Sequence, residues 1–247
     1  MFPLRDENPI LSTPVVTVAF ILVNVIVWLY VEGAGMSDQL LADTVCQFGL
    51  IPAEVTNSTA GYGGVEIGAS LPTCGFGGLT RSAVFTSMFM HGSWLHLIGN
   101  MWFLWLFGNN IEDSMGSGRF LVFYLLVGLA AATAHIVAGP GSVMPMVGAS
   151  GGVSGIMGAY LLLYPKVRIQ TLFIFVILLR VIAVPAWLVL ALWFGLQVLA
   201  AYVTPVDTGS VAVWAHIGGF VAGAVMIRIF SDRERVEARL ERAPVHQ

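Results

Sequence analysis

Six mostly apolar stretches, at about residues 14–31, 84–107, 119–138, 150–164, 185–203 and 212–230, limit what this chain can become. A helix needs roughly 20 such residues to cross the ~30 Å hydrocarbon core of a bilayer, and these stretches reach or approach that length. A soluble domain is about 25% charged, because charge must cover its surface. Here only 10% of 247 residues are Asp, Glu, Lys or Arg, and 57% are hydrophobic. That balance excludes a water-facing globule, and it is the reverse of what a disordered chain carries. With 11 Lys and Arg and a formal net charge of −3, there is no polybasic patch to hold nucleic acid. The expected class is an all-α, polytopic membrane protein with a single membrane domain over residues 1–247.

The few cations fix the number of spans. A seventh apolar run, 171–184, carries Arg180 and reads as half a span or an interfacial helix. Cytoplasmic segments collect Lys and Arg. With six spans these segments are 1–13, 108–118, 165–184 and 231–247. They hold Arg5, Lys166, Arg168, Arg180, Arg233, Arg235, Arg239 and Arg242, with Arg119 and Arg228 at the inner ends of spans. Only Arg81 remains outside. If 171–184 also crossed, the Arg-rich tail would face outward, so six spans with both termini inside is the reading. The first span is too long for a signal-peptide core and lacks a basic segment before it, so it stays uncleaved. The small inner tail, the lack of a transit peptide and the Ala-, Val- and Gly-rich spans suggest a bacterial plasma membrane.

The outer side then holds a long loop, 32–83, and short loops at 139–149 and 204–211. Cys46 and Cys74 both lie in the long loop, on an oxidising side where a disulfide is an even choice against two free thiols. Trp28, Trp94, Trp187 and Trp214 read as interfacial anchors. Met88, Met90, Met101, Met144, Met146 and Met157 read as packing. The tail 231–242 reads as a solvated helix of mixed charge.

Polar groups inside spans are expensive, so each is a candidate for function. They are His91, His96 and Asn100 in the second span, His135 in the third, Ser150 and Ser154 in the fourth, and His216 in the sixth. The second, fourth and sixth spans all run from outside to inside. His96, Asn100, Ser150 and His216 therefore lie at similar depth in the outer leaflet. His96 and Asn100, four apart, share a helix face. Ser150 begins the fourth span within Gly148-Ala149-Ser150-Gly151-Gly152, where the plain alternative is a helix N-cap. Gly151, Gly152, Gly155 and Gly158, with Gly219 and Gly223 of the sixth span, let backbones approach closely. Such packing brings Ser150 to His216. A serine hydroxyl is a weak nucleophile until a base takes its proton. Acyl transfer also needs donors for the oxyanion. The Ser150 N–H, a His96 ring N–H and the Asn100 amide are candidates. No Asp or Glu lies in the outer halves of these spans, and Asp207 in the last outer loop reads as solvated, so the pair is a dyad.

Gly148-Ala149-Ser150-Gly151, Ala215-His216-Ile217-Gly218-Gly219 and His91-x4-His96-x3-Asn100, in this order, resemble the motifs of rhomboid intramembrane serine proteases. The resemblance spans about residues 84 to 230. It implies a six-helix bundle with Ser150 as nucleophile, His216 as general base, and His96, Asn100 and Gly148 forming the oxyanion hole. It implies structural roles for His91 and Glu112 and transmembrane protein substrates cut near the outer face. No cofactor or metal is expected: H-E-x-x-H is absent, and His91 and His96, five apart, do not share a helix face. Ser154 in Gly152-Val153-Ser154-Gly155 is a rival nucleophile, and it stands where the family often places an aromatic residue against the histidine. A Ser154 hydroxyl bonded to His216 is one way to hold that ring. The Trp-Arg pair of many members is reduced here to Arg81. The alternative function is a catalytically silent relative that binds membrane proteins.

Overall fold

The computed structural model describes residues 2–58, 65–66, 73–74, 82–175, 178–204 and 212–242. The chain starts with strand β1 (Phe2–Asp6) and helix α1 (Val15–Tyr30), then α2 (Asp38–Phe48) and the short α3 (Pro52–Val55). A two-stranded ribbon, β2 (Val65–Glu66) and β3 (Thr73–Cys74), precedes the short α4 (Ala83–Thr86). Next come α5 (Trp94–Phe103), α6 (Asn109–Met115), α7 (Ser117–Ala138) and α8 (Ser150–Leu163). Strands β4 (Arg168–Phe175) and β5 (Leu178–Pro185) are followed by α9 (Ala186–Val203), α10 (Val213–Phe230) and α11 (Arg233–Arg242). The protein is mostly helical. Among the described residues three helices, α7, α9 and α10, are long and apolar enough to cross a membrane, and α1 and α8 are apolar but shorter. Their outward side chains are apolar too, among them Leu192, Leu196 and Leu199 of α9 and Val221 and Val225 of α10. A helix that is apolar all round belongs inside a protein core or a bilayer.

Four expectations need correction, the fourth being the charged tail described below. The stretch 84–107 is not one helix. It breaks at Met90–Gly92, and α5 restarts where the Ser93 hydroxyl accepts the His96 N–H at 3.1 Å. From there the helix continues through a π-helical segment, Leu104–Gly108, into α6. Second, 171–184 is neither half a span nor an interfacial helix. It belongs to the antiparallel pair β4–β5, with Arg168 opposite Pro185, and β1 adds to β4 to make a sheet of order β1-β4-β5. Its β-branched and aromatic residues favour a pleated surface, and a short unbroken apolar run has no period to tell strand from helix. The fold is thus not purely helical. Third, Trp28 is no interfacial anchor. It is 1% exposed and packs edge-on against Trp94 at 5.5 Å.

Glycine and alanine set how the bundle packs. α10 lies against α8 and α7, and α9 lies against α10. A Cβ at Gly158 would overlap the Phe220 carbonyl, one at Gly219 the Gly151 carbonyl, and one at Gly223 the Gly155 carbonyl. α8 and α10 therefore meet backbone to backbone, as small residues permit.

The two ends of the bundle differ in chemistry. At one end the Glu112 carboxylate accepts the Val16 and Thr17 N–H groups at 2.9 and 2.7 Å, and the Thr17 and Ser117 hydroxyls at 2.8 and 2.5 Å. It satisfies the open first turn of α1, whose own N-cap position is Pro14 with no capping side chain. Nearby, Arg239 of α11 is fully buried. It donates to the Pro9 carbonyl, to the Asn110 carbonyl at 2.6 Å and to Asn110 Oδ1 at 2.7 Å, and it pairs with Asp113 at 3.3 Å. The tail is thus a docked helix rather than a solvated one. Beside it Asp6 accepts from Tyr160 at 2.6 Å and Asn110 at 2.8 Å, and burial pushes its carboxyl up to about 6. At the opposite end Cys46 and Cys74 form a disulfide that ties α2 to β3. The Glu32 side chain is buried there with its Oε1 accepting the His91 N–H at 2.7 Å, and burial pushes its carboxyl up to about 7.

Candidate active site

α5, α8 and α10 present their N-terminal ends together, and the polar residues singled out in the sequence meet there. Ser150 is the first residue of α8, and Ala149 occupies the capping position, so Ser150 is not an N-cap. Its Oγ lies 2.8 Å from His216 Nε2 in the first turn of α10. The seam of glycines below them fixes this distance, because nothing bulkier than hydrogen separates the two backbones one turn further in.

Gly148 precedes this pair with φ +126°, a conformation that favours glycine. Its N–H donates to the Ser87 carbonyl at 2.8 Å. A Cβ there would stand 2.7 Å from His96 Nε2, so the missing side chain makes room for the His96 ring beside Ser150. The Gly92 N–H faces His96 Nδ1 at 3.5 Å, which leaves Nε2 to carry the ring proton toward Gly148. Asn100, buried one turn below, donates one amide hydrogen to the His96 carbonyl at 3.1 Å and keeps a second. The first N–H groups of α8 have no intrahelical acceptor, as at any helix start.

Other candidates fall elsewhere. Ser154 is buried and donates to the Ser150 carbonyl at 2.6 Å, so it is turned back along its own helix and does not hold His216. The His91 ring is fully buried and lies edge-on to His96 at 5.0 Å. His135 is buried on α7. Arg81 and Asp207 lie outside the described residues.

One residue of the site was missed. Gln197 of α9 places Oε1 2.9 Å from His216 Nδ1. One turn before it, Trp193 lies 5.9 Å from the His216 ring and 6.0 Å from Phe220. The aromatic neighbour absent from position 154 is supplied by α9 instead. A signal for Gln197 was present: it is the one side-chain amide in an 18-residue apolar helix, and such residues are costly in lipid unless partnered.

Among the described residues no group of three or more His, Cys, Asp or Glu is arranged to hold a metal ion. The side chains present are a hydroxyl, two imidazoles and two amides, a set suited to acyl transfer by nucleophile, base and hydrogen-bond donors.

A family model described as the rhomboid domain matches residues 77–233. The chain is 33% identical over 138 residues to the rhomboid protease GluP of Bacillus subtilis, covering 56% of this chain and 24% of that protein. It is 30% identical over 100 residues to rhomboid protein 1, mitochondrial, of Saccharomyces cerevisiae, covering 39% of this chain and 29% of that one. It is 30% identical over 95 residues to the presenilin-associated rhomboid-like protein, mitochondrial, of Bos taurus, covering 38% of this chain and 25% of that one. The chain thus matches between about a quarter and a third of the length of these relatives.

Proposed function

The chain belongs to the rhomboid family of membrane proteins, and from that membership we propose that it is an intramembrane serine endopeptidase acting through Ser150 and His216. Its substrates are transmembrane proteins, cut near the outer face. The observation that carries this reading is the 2.8 Å contact between Ser150 Oγ and His216 Nε2.

The chemistry follows from the atoms. His216 Nε2 accepts the Ser150 proton as Oγ attacks the scissile carbonyl carbon. Negative charge gathers on the former carbonyl oxygen. The Ser150 N–H, the His96 Nε2–H and the free Asn100 amide hydrogen stabilise it, and Gly148 keeps the space open. His216 returns the proton to the leaving amine as the C–N bond breaks. A water then attacks the acyl-enzyme with His216 again as base, releasing the carboxylate product and restoring the serine hydroxyl.

The membrane arrangement belongs to the same proposal: six spans, both termini inside, in a bacterial plasma membrane. The hairpin β4–β5 supports it by returning the chain to the level at which it left α8, with Arg168 opposite Pro185. The site then lies at the outer end, and the Glu112 and Arg239 clusters at the inner end.

Cleavage of a single-span model substrate in proteoliposomes tests the function. Wild type is expected to cleave it and His216→Ala to leave it intact. Equal cleavage by both proteins removes His216 from the mechanism, and no cleavage by wild type favours the silent, client-binding alternative.

A further inference from the structure

We propose that Gln197 is a positioning residue: its side-chain carbonyl holds the Nδ1–H of His216 and so keeps Nε2 bare to take the Ser150 proton. The inference rests on the serine-protease reading and adds to it the group that orients the base.

A neutral imidazole carries one proton, and its partners decide which nitrogen has it. The Ser150 hydroxyl makes no choice, because it can donate to Nε2 or accept from it. A side-chain carbonyl can only accept. With Oε1 2.9 Å from Nδ1, the proton belongs on Nδ1 and the lone pair of Nε2 points at Ser150 Oγ, 2.8 Å away. That is the tautomer a general base requires. The structure gives His216 these two hydrogen bonds, one at each ring nitrogen.

The helix that carries Gln197 is built to hold it there. In α9, AWLVLALWFGLQVLAAYV, the amide stands alone among apolar residues. Trp193 and Gln197 are four apart and so share a face. Trp193 lies on His216 and Phe220, and Phe194 stacks on Phe220 at 4.5 Å. These aromatic contacts fix the rotation of α9 against α10 and turn the amide to the ring. The opposite face, with Leu192, Leu196 and Leu199, is exposed and apolar. An amide does for orientation what a carboxylate does in a triad, without a formal charge in a site where, among the described residues, no carboxylate bonds the histidine.

The test combines turnover with the tautomer itself. Gln197→Met keeps the length and removes the acceptor, and Gln197→Glu keeps an acceptor. Cleavage kinetics should show kcat lowered roughly 10–100-fold in Gln197→Met with KM unchanged, and largely restored in Gln197→Glu, as expected for loss and rescue of one oriented hydrogen bond. Nitrogen-15 spectra of the histidine-labelled protein should place the His216 proton on Nδ1 in wild type and on both nitrogens in Gln197→Met. A wild-type spectrum with the proton on Nε2, or Gln197→Met turnover equal to wild type, overturns the proposal. The spectrum needs no turnover. A wild type that fails to cleave in a Ser150-dependent way would instead overturn the protease reading itself.

Discussion

A single methyl group at position 219 is enough to test whether the glycine seam sets the catalytic distance. Gly219 lies three residues beyond His216 and faces the backbone that follows Ser150. A Cβ there would overlap the Gly151 carbonyl oxygen and stand 3.1 Å from its carbon and 3.3 Å from Ala131 Cβ. Ordinary carbon–carbon contact begins at about 3.5 Å, so α8 and α10 would have to part by on the order of 1 Å. The 2.8 Å Ser150–His216 contact would stretch toward ~3.8 Å, which is no longer a hydrogen bond. Overpacking of this kind costs about 1–3 kcal/mol, and a 1 Å misplacement of reacting groups costs on the order of 100-fold in rate. Gly158→Ala is the comparison. Its Cβ overlaps the Phe220 carbonyl, but it lies eight residues and about 12 Å along the helix from Ser150. Both variants should lose thermal stability. Only Gly219→Ala should lose most of its labelling rate by a fluorophosphonate probe. Wild-type labelling by a folded Gly219→Ala protein would refute the link between the seam and the site.

Two further outcomes follow from the buried carboxylates. Glu112→Gln replaces an acceptor of four donors with an amide that can serve only some of them, so stability should fall by roughly 2–4 kcal/mol, read as a lower midpoint in thermal unfolding. Glu32 has a folded-state pKa raised to about 7 from 4.5 by burial. Its contribution to stability is therefore full below about 4.5 and is lost as pH rises through about 7. Glu32→Gln should flatten the fall in melting temperature over that window, and an unchanged pH profile would contradict it.

Much of the architecture was legible because lipid demands long apolar helices. The stretches 119–138, 185–203 and 212–230 correspond to α7, α9 and α10 within two residues. Motif spacing together with span parity was enough to bring Ser150, His216, His96 and Asn100 to one end. What escaped was set by contacts distant in sequence or by absent periodicity. The β4–β5 run has no alternation to separate strand from helix. The break before α5 lies at Gly92 and Ser93, two small residues inside an otherwise apolar stretch whose composition alone does not separate one helix from two. Arg239 looked like one more solvated cation because its partners, Pro9 and Asn110, are 230 and 129 residues away. Gln197 is neither nucleophile nor base, and its place beside the histidine is set only where α9 packs on α10. The disulfide, an even choice in sequence, is formed.

The most direct measurement is covalent labelling of the purified protein with a fluorophosphonate probe, with the modified residue located by peptide mass spectrometry. Wild type and Ser154→Ala should carry the probe on Ser150, and Ser150→Ala should carry none. Label on Ser154, or labelling that survives in Ser150→Ala and disappears in Ser154→Ala, would contradict the assignment of Ser150 as nucleophile.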